Sequence, residues 1–334
     1  MSKIEQIAER IDEARKLRVI KSQDIDVEKY LKNNDVSAKV KSVSEYMDSV
    51  IDSLLNPDVK NKCLMPWPKT HQDVNFRLGE VSVYAGSNGG GKSLITGLIA
   101  LYLVKQKRKV CIASFEMHPD TTITRMFRQF SGENIADPLT NNRENYIKEN
   151  GKRFLDFASD DLYFYDQQGS TSPKQVIAMC RYCAVELGIE HIFIDSLMKC
   201  VMSEDDLNEQ KSFVNELCAV ARDHKVHIHL VHHIRKLQNE EIQPNKNDLK
   251  GSGSIADQVD NVFLIWRNKK KENLRRNGEQ YDENSPDCFL MCQKQRNGEA
   301  EEFYGLWYQA GSQQFVETLG GLPIDFDNRG RFAA

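Results

Sequence analysis

Long apolar runs are missing from this sequence. The longest, residues 94–104, has 11 residues and is interrupted by Thr96 and Gly97, whereas a membrane-spanning helix needs about 20. A leader is not expected either. The first 16 residues alternate charged with apolar side chains, unlike the apolar core of a signal peptide or the acid-poor texture of a transit peptide. The expectation is a cytoplasmic chain without membrane contact. There is also no surplus of positive charge: 45 Lys plus Arg stand against 49 Asp plus Glu, for a net charge of −4. That excludes a protein that grips nucleic acid by bulk charge and leaves only local contacts. No internal repeat or low-complexity tract is evident. What remains is an ordinary globular composition. Its 334 residues are 40% apolar and 28% charged, enough for a sizeable core in one large domain plus a small accessory, or two domains.

The eight cysteines do not form a metal framework. Cys180 and Cys183 make a CxxC, but the surrounding VIAMCRYCAVELG has helical texture and no second pair sits at zinc-site spacing. Cys288 and Cys292 lie in an apolar run. All are expected to be core thiols. His227 and His229 share one face of a strand, without nearby carboxylates or cysteines to complete a metal site.

Residues 1–62 carry no strand signal. Ile4, Ile7, Ile11, Ala14 and Leu17 fall at helical spacing, and Val36, Val40, Val43, Met47, Val50 and Leu54 form a second apolar seam ended by Asn56-Pro57. This region is expected to be a helical N-terminal segment or linker, either covering its own core or docking on a neighbouring subunit. From residue 63 the texture changes. Short β-rich runs at 81–86, 110–115, 162–165, 191–194 and 227–232 alternate with helical stretches at 93–107, 173–187 and 204–224. That pattern predicts βαβ units around a mostly parallel sheet, an α/β fold. The runs at 261–266, 288–293, 302–308 and 314–317 follow with turns between them, which predicts an antiparallel extension of that sheet. The domain is expected to span 63–320, with 321–334 a loosely held tail.

The chemistry begins at Gly86-Ser87-Asn88-Gly89-Gly90-Gly91-Lys92-Ser93, which fits GxxxxGK[ST] with a strand before it and a helix from Leu94 onward. Glycines let backbone N–H groups curl around phosphate oxygens, and the helix N-terminus adds its positive dipole end. Lys92 would reach the β- and γ-phosphates and the Ser93 hydroxyl would bind Mg²⁺, so the motif implies ATP or another nucleoside triphosphate. Asp195 ends the apolar run Ile192-Phe-Ile-Asp195 and can hold the Mg²⁺ through water. Glu116, in Ser114-Phe-Glu-Met117 at the next strand end, can orient and deprotonate an attacking water.

These pieces, in this order, resemble the motor domain of DnaB-type ring-shaped replicative DNA helicases over roughly residues 63–318, with the Twinkle and phage primase-helicase branch most alike. The resemblance implies a RecA-like core and makes Glu116 the catalytic base. It makes His233 in Leu230-Val-His-His-Ile-Arg-Lys236 the γ-phosphate sensor, with His232 the other register. Asp248-Leu-Lys-Gly-Ser-Gly-Ser254 is similar to the family's DNA-contacting motif. There Gly251 and Gly253 allow close backbone approach, Ser252 adds a hydroxyl and Lys250 a charge; Arg235 and Lys236 are further DNA candidates. Lys294-Gln-Arg296-Asn-Gly298 matches the KxRxG element, which implies that Lys294 and Arg296 reach the triphosphate of a neighbouring subunit, with Arg296 as arginine finger. Arg267 and Tyr308 are the positions matching the residues that sandwich the base, while Trp266 and Trp307 compete for the same packing.

The resemblance therefore implies a homo-oligomeric, hexameric ring in a bacterial or phage-infected cell, translocating 5′→3′ on single-stranded DNA. A primase domain and a full-size N-terminal domain are not part of the pattern here, so a primase or loader would be a separate partner. The basic run Arg267, Lys269, Lys270, Lys271, Arg275 and Arg276 is expected to be a solvated hairpin loop. Two other classes share the phosphate motif: a recombinase-like single-strand binder switched by ATP, which would not displace strands, and a regulatory ATPase ring acting on protein, which would ignore DNA.

Overall fold

The computed structural model describes residues 19–31, 43, 47, 51, 55 and 62–328, except 137–141, 159, 168, 204–205, 240 and 252. In chain order the elements are β1 (Val19–Lys21), α1 (Val27–Leu31), β2 (Val81–Gly86), α2 (Lys92–Lys105), β3 (Val110–Ser114), α3 (Pro119–Ser131), α4 (Arg143–Ala158), β4 (Leu162–Asp166), α5 (Pro173–Glu186), β5 (His191–Asp195), α6 (Leu207–His224), β6 (His227–His233), α7 (Ser254–Gln258), β7 (Asn261–Arg267), α8 (Lys269–Asn277), β8 (Cys288–Gln295), β9 (Phe303–Gln309) and β10 (Gln314–Val316). The sheet runs β1-β4-β3-β5-β6-β2-β7-β8-β9-β10. Neighbours from β1 to β7 are parallel, and β8, β9 and β10 add antiparallel. This is the expected α/β architecture, with a mostly parallel sheet extended at its C-terminal side.

The central strands read as unbroken apolar runs because both of their faces are covered. Every residue of β2, β3 and β5 is buried. One face packs on α5 and α6, through Ile177, Met179, Phe213 and Leu217. The other packs on α2, α3 and α4, through Leu98, Leu101, Met126 and Phe154. Helix α2 follows the glycine loop and is buried nearly all round, from Ile95 to Leu101 without a break. It sits rigidly against the sheet and carries the loop with it.

None of the eight cysteines is in a disulfide, and all are buried. Burial pushes the Cys180, Cys200 and Cys288 thiols up, Cys288 to about 12, and a hydrogen bond with Cys111, then burial, raises Cys183, so they are inert core groups rather than thiolates. Among the described residues no His, Cys, Asp and Glu cluster could hold a metal ion, and no helix is long and apolar enough to cross a membrane.

Three local expectations need correction. Residues 19–21 form a strand, although 1–62 carries no strand signal: β1 pairs with the edge of β4 and inserts Ile20 and Ile25 into the core. Three residues are too few to show an alternation. The basic run after β7 is a helix, α8, not an open hairpin loop. Asn268 caps its start by accepting from Lys271 N at 3.1 Å, and Gly278 closes it with φ +71°. The tail is not loose from Gly320. Phe326 is buried against Phe130 and Phe157, Ile324 exchanges hydrogen bonds with the Gln314 side chain, and Asp327 pairs with Arg153. Of the N-terminal seams, Val43 and Met47 are described and exposed; Ile4 to Leu17, Val36, Val40, Val50 and Leu54 lie outside the described residues.

Candidate functional site

At the C-terminal ends of β2, β3, β5 and β6 lies a cavity of about 1430 Å³, lined by the whole loop from Ser87 to Leu94 together with Glu116, Asp195 and His233. Open parallel sheets bind ligands at this end, where helix N-termini converge. The loop leaves β2 at Gly86 and enters α2 through Gly91, whose φ of +92° is left-handed. A Cβ there would also press to 3.2 Å from the Phe315 ring. Glycine answers both constraints.

Lys92 is 7% exposed. Its ammonium donates to Gly86 O (3.0 Å) and Ser87 O (2.9 Å) and lies 3.4 Å from His233 Nδ1. Burial lowers its pKa, while Asp195 and Glu116 act in the opposite sense. The Ser93 hydroxyl donates to Asp195 Oδ2 at 2.8 Å. Burial raises the Asp195 carboxyl, and the Ser93 hydrogen bond opposes it. A hydroxyl beside a carboxylate is a hard oxygen donor set, the kind Mg²⁺ uses together with phosphate oxygens and water.

Glu116 stands across the cavity. Its Oε1 accepts from Ser196 Oγ at 2.7 Å and lies 3.3 Å from His233 Nε2. The His233 hydrogen bond, with help from Ser196 and Lys92 and against burial, brings its pKa down to about 2. The group is a carboxylate at neutral pH and can accept a proton. His233 therefore bridges Lys92 and Glu116. His232 points the other way: it is fully buried and its Nε2 donates to Lys250 O at 2.6 Å. Of the two histidine registers, only His233 faces the cavity.

The strand end carrying His233 is stitched to the segment before the glycine motif. Lys250 N donates to His233 O at 2.9 Å, Ile234 bridges Leu249, and Arg235 N donates to Asp248 O at 2.8 Å. The Arg235 guanidinium pairs with the buried Asp248 carboxylate at 2.9 Å yet stays exposed, and both Arg235 and Lys236 stand at the cavity rim. Gly251 has φ +88°, and an added Cβ would fall 2.0 Å from Gln210 Oε1. Gly253 directly precedes α7, and Ser252 lies outside the described residues.

Arg267 donates to Gly89 O at 3.2 Å and to Glu272 Oε1 at 3.0 Å, which puts it at the mouth of the phosphate loop. Tyr308 is not in the cavity wall; its ring lies 5.3 Å from that of Phe315, which packs under Gly91. Trp266 lines the cavity, while Trp307 packs under the Lys69 ammonium.

Lys294 and Arg296 are not brought to this cavity. Lys294 Nζ caps the end of α7 through Ala256 O, Asp257 O and Val259 O (2.7–3.0 Å). Arg296 Nη2 donates to Asp257 O and Gln258 O, and Nη1 lies 3.4 Å from Asp260 Oδ1. Asp260 in turn bonds both backbone groups of Val81, the first residue of β2. The phosphate loop leaves the last residue of β2, so the two sites are separated by the length of a six-residue strand, roughly 20 Å.

Sequence reasoning misses Ser196, Arg125 and Glu272. Ser196 follows Asp195 directly but belongs to no motif. Arg125 lines the cavity from the middle of α3, away from any strand end, with Nη1 at 2.9 Å from Met117 Sδ. Glu272 sits in α8, where the sequence suggests a loop.

Comparison with known proteins places this geometry. Residues 74–317 match the family described as DnaB-like helicase C terminal domain. A probable replicative DNA helicase of Trieres chinensis is 25% identical over 236 residues, covering 67% of this chain and 50% of that protein. The chain thus spans about half the length of that curated relative. Among solved structures, one described as an ATPase domain superposes with a TM-score of 0.70 at 16% identity, covering 84% of this chain and 99% of that one. A DnaB-like replicative helicase, described with its interactions with primase, gives 0.67 at 15% identity over 83% and 67% of the two chains. At those identities the structural likeness establishes the fold.

Proposed function

This chain belongs to the DnaB-like helicase C terminal domain family, and from that premise we propose that it is the motor of an ATP-dependent replicative DNA helicase. It forms a ring, a hexamer, that moves 5′→3′ along single-stranded DNA and unwinds duplex, with a primase or loader as partner, in the cytoplasm of a bacterial or phage-infected cell. The observation that carries the reading is the convergence of Lys92, Ser93, Asp195, Glu116 and His233 on one cavity.

ATP lies with its phosphates along the loop from Gly86 to Ser93, its negative charge met by Lys92 and the α2 N-terminus. Ser93 and Asp195 would hold Mg²⁺, which when bound neutralises charge on the phosphate oxygens. Glu116 takes a proton from the attacking water. His233, between Lys92 and Glu116, reads the γ-phosphate, and the hydrogen bond from Lys250 N to His233 O supports transmission to the DNA-contacting motif. Arg296 is too far from its own phosphate loop to serve it, which supports action on the next subunit's triphosphate, with Lys294 beside it.

The test is strand displacement on a forked duplex by the full chain with ATP and Mg²⁺, alongside Glu116→Gln. The wild type separates the strands; the variant binds ATP and assembles but turns over roughly 10²- to 10⁴-fold slower, the contribution of a positioned general base. ATPase stimulation by single strands without displacement would favour the recombinase-like class. An ATPase rate indifferent to DNA would favour the regulatory ring.

A further inference from the structure

Helix α8 has no place in the phosphate chemistry, yet it is built firmly onto the segment before β8 and meets Arg267. Asn268, its cap, also donates to Ser285 Oγ and Pro286 O, both at 3.1 Å. Lys271, 8% exposed, donates to Ser285 O at 2.6 Å and Glu283 O at 3.2 Å and pairs with Asp287 at 2.8 Å. An anchored lysine of this kind fixes the first turn, and with it the position of Glu272.

Three cations converge on that single carboxylate. Arg267 Nη2 and Arg276 Nη2 meet its Oε1 at 3.0 and 3.3 Å, and Lys269 Nζ lies 3.3 Å from its Oε2. Arg267 uses its other terminal nitrogen on Gly89 O of the phosphate loop. The guanidinium is therefore pinned at both ends, between a helix carboxylate and the loop that surrounds the phosphates. Trp266, its neighbour in the chain, faces the cavity.

We propose that Glu272 is a positioning residue for nucleotide recognition: it presets the plane of Arg267 as a platform for the nucleobase and keeps that charge off the phosphates. This rests on the nucleotide reading above. A free arginine loses rotamer entropy when a ligand fixes it, and Glu272 removes that loss before the ligand arrives. Without the carboxylate, Arg267, Lys269 and Arg276 repel one another, and the freed guanidinium turns toward the nearest anion, the triphosphate. The effect falls on the base end of the nucleotide, not on its phosphate end.

The experiment uses the full chain and two probes, ATP and inorganic tripolyphosphate. For Glu272→Ala, KM for ATP rises about fivefold, as for a part-exposed charge pair of about 1 kcal/mol, while kcat stays within about twofold. Inhibition by tripolyphosphate is unchanged or tighter. In the double variant with Arg267→Ala, KM is no higher than in Arg267→Ala alone, because Glu272 acts through that side chain. An unchanged KM, a parallel weakening of tripolyphosphate, or additive effects in the double variant each overturn the proposal. If the wild type neither binds nor hydrolyses ATP, the nucleotide reading itself falls, and this proposal with it; wild-type hydrolysis with an indifferent Glu272→Ala refutes the proposal alone.

Discussion

Four fully buried histidines make stability depend on pH in a window where few other groups titrate. His191, His227 and His229 line one face of the sheet, and His232 lies at the end of β6. His227 donates from Nδ1 to Arg77 O (2.6 Å) and accepts at Nε2 from Ser82 Oγ (2.8 Å), which uses both nitrogens of a neutral ring. His229 bridges His191 (3.1 Å) and the Tyr84 hydroxyl (3.1 Å) with Phe193 stacked at 4.0 Å. Burial lowers all four, with His227 and His232 each brought to about 4 from an ordinary value of 6.5. Arg77 and Asp260 face His227 with opposing effects, and Lys92, Lys250 and His233 add to the depression of His232. Between pH 6.5 and 4 the unfolded chain binds protons that the native fold refuses, so stability falls with pH. At pH 5 these shifts correspond to about 2 kcal/mol for each of His227 and His232, against a total that is typically about 5–15 kcal/mol. Glu116, pushed down to about 2, loses its contribution only below its ordinary range near 4.5, and the raised Asp195 acts in the opposite sense. From about pH 6.5 to 5 the loss of stability is therefore carried by the histidines, with His224, also lowered by burial, adding to it and Asp195 opposing it. Urea unfolding followed by the fluorescence of buried Trp67 at about pH 7.5, 6 and 5 should show a midpoint that drops steeply at the lowest value. A midpoint constant over that range would refute neutral burial of these rings.

Three further outcomes follow from the same geometry. Arg296→Ala should lower ATP turnover at least about 10³-fold and recover part of it in mixed rings where wild-type neighbours supply the arginine; a variant that hydrolyses normally alone sinks the trans assignment. Gly251→Ala meets both φ +88° and the Gln210 side chain at 2.0 Å, so single-stranded DNA binding, read by fluorescence anisotropy, should weaken about tenfold or more. Phe326→Ala removes an aromatic ring from between Phe130 and Phe157 and should cost about 3 kcal/mol in urea unfolding, whereas a loose tail would leave the midpoint where it was.

The strand and helix order is legible in the sequence because burial on both faces writes itself as apolar runs, as in β5, where every residue is buried. The phosphate loop is legible because left-handed backbone leaves glycine little competition, as at Gly91. What escapes notice lacks such a code. Strand β1 is three residues long, and α8 is almost wholly polar, so neither has a period to read; the signals for α8 are its Asn268 cap and its closing Gly278. The tail carries too few apolar residues to suggest a core, and only tertiary packing reveals Phe326 beneath α3. Ser196 acts by reaching across the fold to Glu116, and a partner that distant in sequence cannot be inferred from its neighbourhood; the partners of Glu272 are near in sequence and align on it only through the turn and helix that the run forms. Arg235 shows the same limit: its basic charge is visible, but its pairing with Asp248, in the next segment, is not.

The two ends of the sheet are joined by packing that bears on how a ring would fire. The phosphate cavity lies at the C-terminal strand ends, while Lys294 and Arg296 sit beside the first residue of β2. Between them runs a continuous series of contacts: His233 O to Lys250 N, Gly251 seated on Gln210, then α7, whose terminal carbonyls are held by Lys294 and Arg296. Under the proposed function a strand of DNA enters this series at its middle, at Lys250 and Gly251. A displacement there has two packed outlets, one toward the chain's own γ-phosphate and one toward the neighbour's. The inward outlet is tied by several links: Lys250 N to His233 O, His232 Nε2 to Lys250 O and Arg235 N to Asp248 O. The outward one runs through helix α7, whose end is caged by Lys294 and Arg296. DNA taken up by one subunit should therefore bear on hydrolysis in the next subunit as well as in its own, the coupling a ring would need if its sites are to fire in sequence.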